Sequence, residues 1–480
     1  MSAPLTAPAA VVLAAGQGTR MRSRIPKVLH PLAGRPMVLH VLDALADSGV
    51  ACPVVVTGHG ADEVEAAIGD RAATVRQEPQ LGTADAVRVA LPAVPAGAGT
   101  VLVTMGDAPL QPAELFGALA HEREATDAAI VLVSAHMADP SGYGRLVRGA
   151  DGGVTAIVEE ADADAGILAI DEVNAGTYAF DAAWLREAIG RVEPSAGGEL
   201  YLTDLLAVAV GDGRPVRVVE ASDAVEAMGI NDRVALSVAE ERLRRRVAER
   251  HQRAGVTIVD PSTTRIDATV EIGQDARIEP WTILEGATTV GEDAVVGPNA
   301  HVRDSRIGPR SHVWGSVVEQ AVVGEEVEIG PYAHLRPGAE IGARSRIGNF
   351  AEIKKSSLGA GTQQHHFSYI GDAEVGEGVN IGAGSVTANF DGVAKHRTVI
   401  GDRVKLGVDT MMVAPVTIGP DAVTGAGAVV TRDVAPGTTV VGMPARPIEL
   451  RRRRSAEAAR RAESRSAGEA PAPPGTDRNS

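Results

Sequence analysis

An aliphatic residue returns at every sixth position through much of the second half of the chain. The series runs through Val323, Ile329, Leu335, Ile341, Ile347, Ile353, and resumes at Ile400, Leu406, Met412, Ile418 and, two steps on, Val430. A period of six fits neither an amphipathic helix nor an alternating strand. It is typical of a parallel β-helix, where three six-residue faces form one coil around a narrow aliphatic core. The repeat therefore predicts a left-handed hexapeptide solenoid. Because such solenoids are most often acyltransferases, it favours an acyl-transfer enzyme over a purely structural β-helix.

The first half of the chain has a different pattern, in which short apolar runs alternate with helical stretches such as Met37–Asp47 and Ala61–Ile68. This alternation predicts a doubly wound, Rossmann-like α/β domain. A charged run from Asn231 onward predicts a long linker helix. We therefore divide the 480 residues into an α/β domain (1–230), a linker helix (231–255), a β-helix (256–450) and a tail (451–480). The tail begins with four arginines and has no apolar period, so we expect it to be disordered.

Composition excludes several classes of protein. The formal net charge of −16 argues against a general nucleic-acid binder, which needs a basic face. A single cysteine excludes an intramolecular disulfide framework. No apolar run approaches the length of a membrane span, and no basic segment precedes the first apolar stretch as it would in a signal peptide. We expect a cytoplasmic enzyme that acts on small molecules, without membrane or nucleic-acid partners.

The first predicted strand runs into a glycine-rich loop that contains Gly16 and Gly18 and is followed by Arg20 and Lys27. Such a loop between a strand and a helix presents backbone N–H groups to phosphate. The two cations suggest a triphosphate whose leaving pyrophosphate needs positive charge. Asp107 follows another apolar strand, at the sheet edge where ligands bind in open α/β folds, and a carboxylate there can hold Mg²⁺.

The string Leu-Ala-Ala-Gly-x-Gly-Thr-Arg-Met from Leu13, with Pro26-Lys27 after it, resembles the sugar-nucleotidyltransferase family. The resemblance implies catalytic charges at Arg20 and Lys27, and Mg²⁺ on Asp107 and Asn231. It implies a nucleotide site formed by Leu13, Ala14, Gly16, Lys27, Gln80, Gly82 and Thr83. It also implies a sugar-phosphate site formed by Gly144, Glu159, Asn174 and Asn231.

In the solenoid the aliphatic period breaks at Gln363–Tyr369, which carries His365 and His366. We expect this segment to lie just outside the rigid repeat. Transfer of an acyl group from a thioester to an amine needs a base for the ammonium proton, and imidazole suits that task. The pair of histidines therefore predicts a proton-transfer site.

The motifs around this segment include Leu335-Arg336-Pro337-Gly338 and Asn349-Phe350-Ala351-Glu352-Ile353-Lys354. Together with the first domain they resemble the family of bifunctional enzymes that join a glucosamine-1-phosphate N-acetyltransferase to an N-acetylglucosamine-1-phosphate uridylyltransferase. The resemblance covers about residues 9–446. It implies that His366 is the general base, and that acetyl-CoA and UTP are substrates. It implies contacts to glucosamine 1-phosphate from Arg336, Lys354, Tyr369 and Asn380. It implies an acetyl-CoA groove lined by Ala383, Asn389, Phe390, Val408 and Ala426, and assembly as a homotrimer with acetyltransferase sites between subunits.

Some positions depart from the family pattern. Asp85 stands in a loop that usually reads Gly-Thr-Gly-His-Ala, and Ala175 replaces a hydroxyl residue. Phe390 replaces a usual Tyr and Val408 a usual Ser. Two alternatives to the bifunctional enzyme therefore stay open. One is a nucleotidyltransferase whose β-helix is only a trimerisation scaffold, and the other is a paralogue for another sugar 1-phosphate or nucleotide.

Overall fold

The computed structural model describes residues 7–195 and 197–448. The chain forms two compact units that meet in sequence at Arg246 and Val247. The predicted disordered tail, residues 451–480, lies outside the described residues. Within the described residues, no helix is long and apolar enough to cross a membrane.

The first unit is built on one twisted sheet. The strands of this unit, including a separate small hairpin of β2 and β3, are β1 (Ala9–Ala14), β2 (Pro31–Leu32), β3 (Arg35–Pro36), β4 (Val54–Thr57), β5 (Ala73–Arg76), β6 (Thr100–Met105), β7 (Ile130–His136), β8 (Arg145–Arg148), β9 (Val154–Val158), β10 (Glu172–Asp181) and β11 (Val216–Glu220). The sheet order is β11-β7-β10-β6-β1-β4-β5, with β8 joined to β10 and β9 joined to β8, while β2 and β3 pair only with each other. The strands β1, β4, β5 and β6 are parallel, so their carboxyl ends share one edge.

Helices cover both faces of this sheet. They are α1 (Met37–Asp47), α2 (Ala61–Ile68), α3 (Thr83–Ala90), α4 (Ala113–Thr126), α5 (Ala165–Leu168), α6 (Ala182–Ala188) and α7 (Leu205–Gly211). Short 3₁₀ turns lie at Thr19–Met21, Lys27–Leu29, Gly69–Arg71, Leu91–Ala93, Glu160–Asp162, Ile189–Arg191, Leu202–Asp204 and Ala224–Ala227. Val11 packs into one apolar core and its neighbour Val12 into another, because successive side chains of a strand point to opposite faces. Burial on both faces explains the continuous apolar run of β1 and confirms the predicted doubly wound class.

One strand differs from the pattern that simple alternation predicts. The strand β10 runs antiparallel between β6 and β7, and its register with β7 shifts between Asn174 and Tyr178. Such a bulge re-aims side chains next to it. The bulge begins at Asn174, a residue that the sequence predicts to contact the sugar, so it can set the direction of that side chain.

The long helix α8 spans Arg233–Arg253. Asp232 caps it, because its Oδ1 accepts hydrogen bonds from the backbone N–H groups of Val234 (2.9 Å) and Ala235 (2.8 Å). Asn231, which directly precedes the cap, is thereby left for contacts outside the helix.

The second unit is a parallel β-helix with three faces, A, B and C. Face A contains Thr257–Ile258, Arg277–Ile278, Val295–Val296, His312–Val313, Glu328–Ile329, Arg346–Ile347, Gln363–Gln364, Asn380–Ile381, Lys405–Leu406, Val423–Thr424, Thr439–Val441 and the antiparallel Arg446–Pro447. Face B contains Arg265–Ile266, Ile283–Glu285, His301–Arg303, Val317–Glu319, His334–Leu335, Ala351–Lys354, Ser368–Gly371, Val386–Ala388, Met411–Val413 and Val429–Val430. Face C contains Glu271–Ile272, Thr289–Val290, Arg306–Ile307, Val322–Val323, Ala339–Ile341, Ser356–Leu358, Ala373–Val375, Thr398–Ile400 and Val416–Ile418.

The expectation that Gln363–Tyr369 lies outside the rigid repeat is wrong. Gln364 pairs in register with Ile347 and its side chain is fully buried in the solenoid. Its Nε2 donates to Ser368 Oγ at 2.8 Å, which lets an amide replace an aliphatic residue in the interior. The true interruption comes later, between Ala388 on face B and Thr398 on face C. The aliphatic period breaks at Gln364 because the interior residue is polar, not because the coil ends.

Candidate active sites

A cleft of about 520 Å³ opens beside the carboxyl ends of β1 and β6. All seven residues that the sequence predicts for the nucleotide line it, namely Leu13, Ala14, Gly16, Lys27, Gln80, Gly82 and Thr83. Asp107 also lines it. The cleft therefore lies where ligands bind in open α/β sheets, and the residues of the predicted nucleotide site share one cavity.

The loop after β1 owes its shape to Gly18. Its φ of 60° lies in the left-handed region, and a Cβ there would meet Lys27 Cβ at 2.6 Å. The glycine thus lets the loop pass directly over Lys27. Further along the cleft, Gln80 Nε2 donates to the Ala15 carbonyl at 2.8 Å, which ties the two sides together.

Three distant parts of the sequence meet at Lys27. Its ammonium forms an ion pair with the carboxylate of Asp107, and its Nζ lies 3.0 Å from Asn231 Oδ1. The Lys27 and Asp107 side chains are only 16% and 14% exposed. Asn231 is anchored by a 3.4 Å hydrogen bond from its Nδ2 to the Gly229 carbonyl. A carboxylate, an amide oxygen and an ammonium group thus lie together at one partly buried place in the cleft.

The oxygen pair of Asp107 and Asn231 fits a magnesium ion. Both groups are hard oxygen donors that already converge on a cation, the Lys27 ammonium. Magnesium usually takes only one or two carboxylates from protein and completes its shell with water and phosphate oxygens. Across residues 7–195 and 197–448, no group of three or more His, Cys, Asp or Glu side chains is placed to hold a metal. The donor set suits a metal delivered with phosphate rather than a dedicated cage.

The predicted sugar residues lie around β8, β10 and the end of β9. A Cβ on Gly144 would meet Glu159 Oε1 at 3.3 Å, so this glycine leaves room beside the carboxyl group. Burial raises the pKa of Glu159, and the nearby Asp162 and Asp204 carboxylates raise it further. Asn174 donates from Nδ2 to Tyr178 Oη at 2.7 Å, and its backbone N–H donates to the Gly144 carbonyl at 2.9 Å. These contacts bring Gly144, Glu159 and Asn174 together.

Arg20 is exposed and lies on the short turn Thr19–Met21, apart from the residues that line the cleft. Its charge nevertheless reaches the area, because it lowers the pKa of Tyr143 against the larger raising effect of burial. The Tyr143 hydroxyl accepts a hydrogen bond from the Gly229 backbone at 3.3 Å. The structure therefore places Arg20 outside the lining of the cleft but close enough to Tyr143 to influence its pKa.

Sequence reasoning missed Gln77, Glu199 and Tyr201, which also line the cleft. Gln77 directly follows β5, at the same sheet edge as Asp107, and that position was a usable signal. The other two gave no such signal. They reach the cleft because the Leu200 backbone pairs with Leu81 (2.8 Å) and with Ala84 (2.9 Å).

Three cations gather beside face B of the solenoid. Arg336 and Lys354 follow paired residues on successive coils, Leu335 and Ile353, so the solenoid itself aligns them. The neighbouring Lys395 lowers the pKa of Lys354, and Arg336 lowers it further. Arg336 Nη1 also donates to Glu352 Oε1 at 2.7 Å. Such a cationic cluster suits a phosphate group.

His366 lies at the corner between faces A and B, between the strands Gln363–Gln364 and Ser368–Gly371. Its side chain is exposed, and its ring makes no hydrogen bond within the described part of the chain. Its backbone is held, since Ser368 Oγ donates to the His366 carbonyl at 3.0 Å. A free imidazole on a fixed backbone is suited to take a proton from a ligand.

The predicted acetyl-CoA residues fall into two places. Three of them occupy equivalent positions, each two residues after a face A strand, namely Ala383, Val408 and Ala426. The predicted base His366 occupies the same position one strand earlier on that face. Backbone hydrogen bonds link their coils, from Asp409 to Ala383 (2.7 Å) and from Gly427 to Val408 (2.8 Å). We call these four residues the corner column. The column leads along the solenoid to the imidazole.

Asn389 and Phe390 begin the interruption that follows face B. Asn389 is buried, with its Nδ2 near the Asp372 carboxylate and 3.4 Å from Tyr369 Oη. Phe390 is 58% exposed. Tyr369 lies on face B, in a strand that begins two residues after His366 and pairs with the strand that carries Lys354. It is thus placed between the corner column and the cationic cluster. Asn380 does not join it, because it projects from face A between Gln363 and Lys405.

Comparison with known proteins agrees with this architecture. The family model of the MobA-like NTP transferase domain matches residues 10–172, and the bacterial transferase hexapeptide model matches residues 320–355 and 397–432. The bifunctional protein GlmU of Thermobifida fusca is 47% identical over 475 residues, which cover 96% of this chain and 98% of the relative. The bifunctional protein GlmU of Mycolicibacterium vanbaalenii is 46% identical, over 92% of this chain and 92% of the relative. The bifunctional protein GlmU of Exiguobacterium sibiricum is 45% identical, over 88% of this chain and 95% of the relative.

Fold and sites together define a nucleotidyltransferase joined to a hexapeptide acyltransferase. The chain belongs to the GlmU family of bifunctional proteins, because it is nearly half identical to these relatives along most of its own length and of theirs. The resemblance inferred from the sequence is confirmed, and so is the bifunctional enzyme of UDP-N-acetylglucosamine synthesis that it implied.

Proposed function

We propose that the cleft of the first unit binds UTP and N-acetylglucosamine 1-phosphate and joins them with release of pyrophosphate. The observation that carries this assignment is the meeting of Lys27, Asp107 and Asn231 at the edge of the cavity. The glycine-rich loop supplies backbone N–H groups for the phosphates. The compartment formed by Gly144, Glu159 and Asn174 takes the sugar.

In this reaction an oxygen of the sugar phosphate attacks the α-phosphorus of UTP, and the bond to the β-phosphate oxygen breaks. The protein needs no nucleophile of its own, so catalysis depends on alignment and on neutralising the phosphate charge. Lys27 in the cleft and Arg20 at its rim supply positive charge. Asp107 and Asn231 would hold Mg²⁺, which would supply further charge neutralisation when bound.

We propose that the solenoid acetylates glucosamine 1-phosphate along face B. Arg336, Lys354 and Lys395 hold the phosphate, and Tyr369 contacts the sugar. Acetyl-CoA lies along the corner column, with Asn389 and Phe390 beside it. His366 takes the proton as the sugar nitrogen attacks the thioester carbonyl, and the carbon–sulfur bond then breaks to release the CoA thiol.

A coupled assay tests both assignments on the full-length protein. Glucosamine 1-phosphate, acetyl-CoA, UTP and Mg²⁺ are supplied together, and free thiol and pyrophosphate are followed separately. Both products are expected, with thiol appearing before pyrophosphate because the second reaction uses the product of the first. Pyrophosphate that forms only when N-acetylglucosamine 1-phosphate is supplied, without thiol under any condition, would leave the solenoid as a scaffold.

We propose that the protein works as a homotrimer with acetyltransferase sites shared between subunits. Asn380 supports this, because it projects from face A while Arg336, Lys354 and Tyr369 belong to face B. A neighbouring subunit of a cyclic assembly can bring its face A to this face B, and a cyclic trimer satisfies that requirement for every copy.

A mixing experiment tests the shared site. Arg336→Ala and Asn380→Ala chains, each inactive alone in thiol release, are co-expressed with different affinity tags and purified as mixed oligomers. If one site takes Arg336 from one chain and Asn380 from its neighbour, each purified mixed trimer has one intact site among its three, which restores about a third of the wild-type activity. If both residues act within one chain, the mixed oligomers stay as inactive as either variant.

A further inference from the structure

Asp85 is buried and lies in the first turn of α3, beside the nucleotide cleft. One carboxylate oxygen, Oδ1, forms an ion pair with Arg88, whose side chain is half exposed. The other, Oδ2, accepts a hydrogen bond from Gln77 Nε2 at 2.8 Å. The carboxylate thus connects a surface cation to an amide that lines the cleft.

The Gln77 side chain is fixed in one orientation. Its Nε2 donates both to Asp85 Oδ2 and to the Gly82 carbonyl, the latter at 3.0 Å. An amide nitrogen has two hydrogens, so both are used. Its Oε1 accepts no hydrogen bond within the described part of the chain, although Gln77 is a lining residue of the cleft. The Gln77 side chain therefore presents its carbonyl oxygen, and not its N–H₂ group, to the cleft.

Rotation of the amide by half a turn is blocked. It would bring Gln77 Oε1 against two acceptors, the Asp85 carboxylate and the Gly82 carbonyl. All three groups are oxygens without a proton to share, and Gln77 and Asp85 are each only 3% exposed. Burial makes such a mismatch costly, because no water can satisfy it.

We propose that Asp85 makes the uridylyltransferase site select uracil over cytosine, by holding the Gln77 carbonyl toward the base. The inference rests on the proposed binding of UTP in this cleft. Uracil carries an N–H at ring position 3, which a fixed carbonyl accepts. Cytosine carries a bare nitrogen at that position, so two acceptors would face each other. Asp85 acts through Gln77 and is a positioning residue for specificity.

The test compares UTP with CTP in wild-type and Asp85→Asn full-length enzyme. Asparagine keeps the size of the side chain but can turn its own N–H₂ toward Gln77, so only the Gly82 carbonyl still opposes rotation of the Gln77 amide to an orientation that donates to cytosine. We expect the ratio of kcat/KM for UTP to that for CTP to fall by about tenfold or more, the scale set by one unmatched buried hydrogen-bonding group. Each ratio comes from one preparation, so partial misfolding cancels.

Two controls sharpen the result. Arg88→Gln removes the surface cation but leaves Asp85 Oδ2 on Gln77, so the preference for UTP should stay at the wild-type value. 5-Methyluridine triphosphate has the same N–H at position 3, so its rate relative to UTP should not change in Asp85→Asn. Thiol release reports the integrity of the second unit, and the remaining turnover of UTP reports whether the first unit of each variant folds.

The outcomes separate this inference from the proposed function. If the wild-type enzyme does not turn over UTP, the assignment of the cleft fails. If wild-type enzyme prefers UTP and Asp85→Asn keeps the same UTP-to-CTP ratio, Asp85 has only a structural role and the inference is wrong. A ratio that rises in Asp85→Asn would also overturn it, because Gln77 would then face ring position 4 instead.

Discussion

Replacing Asp107 with Asn is expected to remove uridylyl transfer and leave acetyl transfer intact. The substitution keeps the shape of the side chain but removes the one carboxylate that meets Asn231 and Lys27 at the cleft. Without it, Mg²⁺ loses its charged protein ligand, and Lys27 loses its ion-pair partner and keeps only neutral amide oxygens as acceptors at this point. We expect pyrophosphate formation from UTP and N-acetylglucosamine 1-phosphate to fall by about 10³-fold, in line with loss of a group that stabilises transition-state charge.

The measurement follows pyrophosphate across a Mg²⁺ titration, with thiol release measured on the same preparation. Asp62→Asn is the matched control, since Asp62 is 89% exposed on α2 and, among the residues that the structure describes, pairs only with Arg76. It should behave like the wild-type enzyme in both assays. If Asp107→Asn kept near-normal turnover at the same Mg²⁺ concentrations, the metal assignment to Asp107 and Asn231 would be wrong.

The sequence predicts the solenoid well because its signal is local. Each coil repeats the same short pattern, so the interior position of Ile347 or Ile353 follows from counting alone. The pattern cannot predict that a buried polar side chain continues the repeat. Gln364 takes an aliphatic position because Ser368, only four residues away, satisfies its amide nitrogen. Counting aliphatic residues therefore placed the interruption too early.

The first unit is predicted less completely, because its topology depends on long-range pairing. The apolar runs of β1 and β6 indicate buried strands, yet nothing local indicates that β10 runs antiparallel between β6 and β7. The nucleotide loop is recognisable because it is contiguous. Glu199 and Tyr201 are not recognisable, since backbone pairing with Leu81 and Ala84 alone brings their segment to the cleft.

Site prediction has the same limit in the solenoid. His366, Ala383, Val408 and Ala426 are far apart in sequence and form one column only because each follows a face A strand by two residues. That spacing could have been read from the repeat. The separate placement of Asn380 on face A could be known only after the faces were assigned.

Replacing His366 with Ala is expected to remove acetyl transfer and leave uridylyl transfer intact. The exposed imidazole stands at the end of the corner column, next to Tyr369 on face B, where the amine and the thioester would meet. Loss of a positioned general base typically costs about 10²–10⁴-fold in rate. We expect thiol release from acetyl-CoA and glucosamine 1-phosphate to fall by that amount. Pyrophosphate formation should be unchanged when N-acetylglucosamine 1-phosphate is supplied.

His365 provides a matched control within the same segment. It is also exposed, and its ring centroid lies 6.4 Å from that of His366. Its backbone packs so closely over Gly348 that a Cβ on that glycine would meet the His365 carbonyl at 2.0 Å. The backbone of this segment is therefore fixed, and we expect only the His366 ring to take the proton, because His366 and not His365 belongs to the corner column. His365→Ala should keep most of the acetyl-transfer activity, whereas a large loss in His365→Ala with little loss in His366→Ala would assign the base to His365.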